Sequence, residues 1–105
     1  MSNALPKYDR YYLSYSSPTL PLKLVSPLSL EDITNRNTFF GANLDEQGRI
    51  CLIHQLVYGH IELCHQYGYD KDGQLSWAEI SNTDDEVRKL WFNPEGQVIR
   101  QEEIS

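Results

Sequence analysis

The sequence predicts a mainly β fold: an antiparallel twisted sheet of successive β-hairpins with one short helical turn. Three observations lead there. The first is a turn pattern written three times, as Leu44-Asp45-Glu46-Gln47-Gly48-Arg49-Ile50, Tyr69-Asp70-Lys71-Asp72-Gly73-Gln74-Leu75 and Phe92-Asn93-Pro94-Glu95-Gly96-Gln97-Val98, with glycines recurring after 25 and then 23 residues. A type I turn takes Asp or Asn first, because that side chain bonds the backbone ahead of it, and tolerates Pro second. A Gly follows because the chain then enters the left-handed region, which closes a three-residue hairpin loop with a bulge. The second observation is alternation outside the turns: Tyr67 with Tyr69, Leu75 with Trp77, Leu90 with Phe92. Residues two apart on a strand share a face. The third is the length of the unit, too short to bury its own apolar side without stacking on neighbours.

Each element follows in order along one domain, residues 1–105. Residues 1–9 read as a flexible terminus. Residues 10–16 are rich in β-formers and read as a strand. A turn at Ser17-Pro18-Thr19 leads to a second strand over 20–25, with Pro21 near its start. Ser26-Pro27 is expected to break that strand. Ser29 then caps one helical turn over 29–33, with Glu31 and Asp32 in its first turn. Residues 40–103 hold the three hairpin repeats. Their long strands are 50–58 and 61–69, with Gly59 at a tight turn between them. An acidic turn at 82–86 and a last hairpin, 86–92 with 97–104, complete the chain.

Two resemblances are visible. The core Tyr69-Asp70-Lys71-Asp72-Gly73-Gln74-Leu75 resembles the YD and MORN-like hairpin repeats of bacterial proteins, which implies architecture and no activity. The opening, Tyr11-Tyr12-Leu13-Ser14-Tyr15-Ser16, Leu20-Pro21-Leu22-Lys23-Leu24 and Asn35-Arg36-Asn37-Thr38, resembles a family of small uncharacterised bacterial proteins. It implies a domain of unknown function.

The net charge is −6 over 105 residues. It is uneven: residues 1–43 carry four basic and three acidic side chains, residues 44–105 five basic and twelve acidic. A nucleic-acid partner is disfavoured, since phosphate binding needs a basic stripe. No run approaches a membrane span, and the first ten residues lack the apolar core of a signal peptide. The expectation is a cytoplasmic protein, with Cys51 and Cys64 as reduced thiols unless they face each other on adjacent strands.

Candidate chemistry falls into three groups. Gly68 to Glu79 imitates a calcium loop, with Asp70, Asp72 and Glu79 as oxygen donors and Gly73 at the sharp turn, but its first position is Gly68 where an acid is needed. His60, Glu62 and Cys64 alternate, so a regular strand would put them on one face as Zn or Cu ligands, with Cys51 or His54 on the next strand completing the set. Cys64 beside His65 is no dyad, because neighbours on a strand point apart. No nucleophile, phosphate-loop or dinucleotide motif is present. The aromatic load is the third group. Tyr69, Trp77 and Trp91 are read as interface anchors, rimmed by Asp70, Asp72, Asp84, Asp85 and Glu86.

The resulting expectation is a non-enzymatic protein-interaction module whose acidic hairpin face meets a basic protein partner, with no cofactor. The alternatives are a small Zn-, Cu- or Ca-binding protein and a self-associating subunit, such as a homodimer pairing through strand edges.

Overall fold

The computed structural model describes residues 8–17 and 19–104. Its elements are β1 (Arg10–Ser17), β2 (Lys23–Leu28), α1 (Leu30–Thr34), β3 (Thr38–Leu44), β4 (Ile50–Val57), β5 (His60–Tyr69), β6 (Leu75–Asn82), β7 (Val87–Phe92) and β8 (Val98–Ile104). All eight strands form one antiparallel sheet in the order β2-β1-β3-β4-β5-β6-β7-β8. The expected fold class is therefore the observed one. The expectation for residues 1–7 lies outside the described residues. Asp9, just after them, clamps β3: its N–H donates to Asn43 Oδ1 at 3.0 Å, and its carboxylate accepts from Leu44 N at 2.8 Å.

The three sequence-alike turns share one hydrogen-bond frame. In each, the leading Asp or Asn donates its N–H to the residue four ahead: Asp45 to Arg49 O (2.8 Å), Asp70 to Gln74 O (2.8 Å), Asn93 to Gln97 O (2.9 Å). Its side-chain oxygen accepts two further backbone N–H groups in every case. The acidic turn joining β6 and β7 uses the same device, with Asn82 Oδ1 accepting from Asp84 N and Glu86 N. There Asp85 stands at φ +60° where the other turns have Gly. Tyr58 and Gly59, both at positive φ, make a two-residue loop between β4 and β5, the mirror-image turn that matches strand twist.

One residue beyond each of the three turns the register slips. Leu44 pairs with Ile50 but Asn43 with Leu52; Tyr69 with Leu75 but Gly68 with Trp77; Phe92 with Val98 but Trp91 with Arg100. Cys51, Ser76 and Ile99 are thus extra residues in bulges, which locally break alternation. Leu75 consequently packs on the core while Trp77 lies on the opposite face. The expected pairing of those two on one side fails for this reason.

Alternation elsewhere gives the sheet two apolar faces. On one, Phe40, Ala42, Ile53, Tyr67 and Ala78 form a cluster with Leu22. On the other, Tyr11, Phe39 and Leu56 pack with Ile33 of α1. Adjacent Tyr11 and Tyr12 serve one face each. The helix carries the chain from edge strand β2 back to β3. Ser29 caps it, accepting from Asp32 N while Asp32 accepts from Ser29 N, a reciprocal capping box. These bonds to Ser29 favour the carboxylate, so the Asp32 pKa lies below its ordinary value.

β2 does not end at Ser26-Pro27 as expected. It runs through to Leu28, with Pro27 paired to Tyr12. An edge strand tolerates a proline because its outer side needs no N–H, and Ser26 absorbs the irregularity at φ +61°. Residues 20–22, just before β2, fold over the first face, where Leu22 is buried. Its N–H donates to the Tyr67 hydroxyl at 3.1 Å, and that hydroxyl meets His65 Nδ1 at 2.7 Å. Burial depresses the His65 pKa to about 4 and pushes the Tyr67 phenol up. Both are neutral at neutral pH. Among the described residues Nδ1 is the one acceptor beside the Tyr67 hydroxyl, so the phenol proton is assigned to that bond, which leaves His65 with its own proton on Nε2.

Candidate functional site

Among the described residues, the α1 face of the sheet is covered only over its first half. Across β5 to β8 the same face carries a grid of side chains fixed by register. One row runs Gly68, Trp77, Trp91, Arg100; the next runs Gln66, Glu79, Lys89, Glu102; a third runs Cys64, Ser81, Val87, Ile104. Trp77 and Trp91 are direct cross-strand partners. The Trp77 indole lies over Gly68, whose missing side chain makes the room. Tyr8 covers Gly41 in the same way at the other end of this face. An aromatic ring over a strand glycine restores the packing that the glycine lacks.

Cations lock the pair. Lys89 Nζ sits 4.8 Å from the Trp77 ring centre and 5.2 Å from that of Trp91, and Arg100 Cζ lies 4.7 Å from the Trp91 centre. Arg100 also pairs with Glu102. A cation over an indole is worth about 0.5–1 kcal/mol at an exposed site, which biases the rings toward this arrangement. Reading the sequence identified both tryptophans but missed Gly68, Lys89 and Arg100. The signal for Gly68 was present: an isolated glycine inside a strand pattern marks a close approach.

The other expected site residues scatter. Tyr69 is not beside the tryptophans. It packs against the Phe40–Ile53 cluster, its hydroxyl donates to Ile50 O at 2.6 Å, and Arg49 stacks on its ring at 4.6 Å. Burial, then the Asp45 charge, raises its pKa. Arg49 is held by Asp45 at 2.9 Å. The acids divide between the two ends of β6: Asp70 and Asp72 lie in the turn before it, Asp84, Asp85 and Glu86 in the turn after it. An eight-residue strand separates the two groups, so they form no common rim.

The metal-ligand candidates are also dispersed. Glu62 is the extra residue of a bulge, since Gln55 pairs with Leu63 and Leu56 with Ile61. That bulge puts His60 and Cys64 out of phase, so the expected common face for His60, Glu62 and Cys64 does not exist. His54 is the cross-strand partner of Cys64, but its Nδ1 is bonded to the Tyr8 hydroxyl at 2.7 Å, and burial lowers its pKa. Cys51 and Cys64 are both free thiols, Cys51 Sγ lying 3.6 Å from Asn43 O. Burial pushes both thiols up, disfavouring thiolate. Around Asp70 the flanks are strands where a calcium loop has helices. One oxygen of the Asp70 carboxylate, Oδ1, accepts from the N–H groups of Asp72 and Gln74, and Glu79 stands on β6 opposite Gln66 and Lys89. Among the described residues, no three His, Cys, Asp or Glu side chains come together as a metal-holding group. No helix among them is long and apolar enough to cross a membrane.

No curated protein and no solved structure matches the chain. A family model does match, over residues 4–101, and the chain belongs to that family, a family of unknown function designated DUF6156.

Proposed function

We propose that this chain is a non-enzymatic protein-interaction module that docks a basic partner segment on the Trp77–Trp91 face. The observation that carries this reading is the pair itself. Two half-buried indoles are preset side by side on the half of the sheet that α1 leaves bare. Rigid aromatic anchors of this kind concentrate binding energy at interfaces. Acids near the pair select the partner. The indoles stand next to the Asp70–Gln74 and Asn93–Gln97 turns, whose tips carry Asp72 and Glu95. Within the grid the charges of Glu79, Lys89, Arg100 and Glu102 cancel, so the local surplus comes from the turn tips. The Asp84–Glu86 turn lies at the far end and takes no part.

The test is a titration with a short Lys/Arg-rich peptide and its Asp/Glu-rich counterpart, followed by tryptophan emission. The basic peptide should perturb emission in low salt and lose affinity as salt is raised. Reversing Asp72 and Glu95 to Lys should abolish the response, and reversing Asp84 should leave it unchanged. Equal responses to the two peptides, or none to either, would remove the reading.

A further inference from the structure

The opposite face of the sheet contains a groove of about 310 Å³. Its apolar walls are Leu20, Leu22, Leu63, Ile80 and Leu90, and His65, Tyr15 and Arg88 also border it. His65 is only 6% exposed. Its Nδ1 is engaged by Tyr67, whereas its Nε2 has no protein partner among the described residues. That nitrogen is not sealed in, since no fully buried side-chain nitrogen or oxygen lacks a partner. The groove is the open space that His65 borders. The bond sequence Leu22 N–H to Tyr67 O and Tyr67 O–H to His65 Nδ1 satisfies every partner and assigns the Nε2–H tautomer. His65 thus presents an N–H donor from a buried, oriented ring.

Arg88 stands at the mouth. Among the described residues its guanidinium makes no hydrogen bond, ion pair or ring contact, although Glu103 is its cross-strand partner and Glu86 lies farther along the same edge. A buried donor, an uncommitted cation and five aliphatic walls define a ligand. Its body must be apolar, and its head must accept hydrogen bonds and carry negative charge. The volume is at the small end for ligand sites, which range over about 300–1,000 Å³.

We propose that this groove binds a small amphipathic carboxylate, its hydrocarbon body against Leu22, Leu63, Ile80 and Leu90 and its carboxylate between His65 Nε2–H and Arg88. The site lies on the face away from Trp77 and Trp91, so it stands or falls independently of the peptide-binding reading. A carboxylate fits where an amine does not, because neither His65 nor Arg88 offers an acceptor. An alcohol satisfies the donor but leaves the guanidinium without an anion.

The experiment is calorimetric titration of the full chain with octanoate, octylamine and octanol below their aggregation concentrations. The expected result is saturable 1:1 binding of octanoate, with octylamine not binding and octanol binding more weakly. Arg88→Gln, an exposed position, should weaken octanoate by about tenfold or more and leave octanol unchanged. Amide and methyl chemical shifts should move at Leu22, Leu63, His65, Ile80 and Leu90 and not at Trp77 or Trp91. No octanoate binding, equal binding of all three probes, or shifts confined to the tryptophan face would overturn the proposal. Comparing octanoate with octanol on the wild-type chain keeps the test decisive even if Arg88→Gln fails to fold.

Discussion

β3 and β4 lie between two covers, α1 on one face and residues 20–22 on the other, whereas β8 buries no residue at all. The buried apolar side chains from β3 and β4 are Phe39, Phe40, Ala42, Ile53 and Leu56; β7 contributes Leu90 alone. The polar grid and its two indoles belong to the thinner region. The contrast teaches a division of labour: the doubly covered strands supply the hydrophobic stabilisation, and the later strands are left with surface to use. Binding surfaces are drawn from the less buried parts of a fold because those parts have side chains free to present.

Truncating one isoleucine in each region should have very different costs. Ile53→Ala, at 0% exposure, should cost about 2–5 kcal/mol. Ile99→Ala, 64% exposed on β8, should stay within about 0.5 kcal/mol. Equal losses in urea denaturation would show that the last hairpin carries as much of the core as the covered strands.

Next come the two ring-covered glycines, one in each region. A Cβ at Gly68 collides with the Trp77 indole, and one at Gly41 collides with the Tyr8 ring. Each Gly→Ala change should cost roughly 1–3 kcal/mol as the ring is expelled. Gly68→Ala should also shift tryptophan emission, while Gly41→Ala should release His54 from the Tyr8 hydroxyl. If Gly68→Ala left emission unchanged, the grid would not be preset in the free chain.

A comparable effect, reached only on acidification, comes from pH. The folded pKa of His65 is depressed to about 4 from 6.5 by burial. Between those values the unfolded chain holds a proton that the folded chain does not. Stability is therefore full above the upper value and is lost as pH falls toward the lower one. The loss should be on the order of 3 kcal/mol at most. His54, also depressed by burial, acts in the same direction. Asp45, lowered first by its bond from the Arg49 backbone, loses its contribution only at more acid pH. Replacing His65 with Gln should flatten the profile; a slope unchanged by that substitution would place the titration elsewhere.

The smallest effect is a gain. Asp85 is at φ +60° in the acidic turn, a conformation glycine adopts without strain. Asp85→Gly should stabilise by about 0.5 kcal/mol in thermal unfolding. A loss would mean that its carboxylate matters to the turn.

Much of the fold was legible because the turns are written in residue types with their own backbone chemistry. Asp45, Asp70 and Asn93 announce hairpins through side chains that bond the next few amides, and Ser29 announces the helix likewise. The bulges within the strands were not legible. Nothing in the identity of Cys51, Glu62, Ser76 or Ile99 marks it as an inserted residue, because a bulge is set by how two strands meet. Each error about facing traces to one of them: Leu75 against Trp77, and His60 against Cys64. The scatter of the acids has a different origin. Successive turns of a meander fall at opposite ends of the sheet, so Asp72 and Asp84 are near in sequence and far apart in space. Of the candidate site, Trp77 and Trp91 could be read, but the cations stacked on them depend on register.

The hydrogen bond from Leu22 to the Tyr67 hydroxyl spans 45 residues, which has a consequence for the order of events during synthesis. The segment that closes the core is made early, but its lock is made late. Until β5 has left the ribosome, Leu22 has no phenol to meet, and the apolar surface of Phe40 and Ile53 waits uncovered. Contacts so distant along the chain slow folding, because the intervening loop must be ordered first. The vulnerable species for aggregation is thus the nascent chain that ends between β4 and β5.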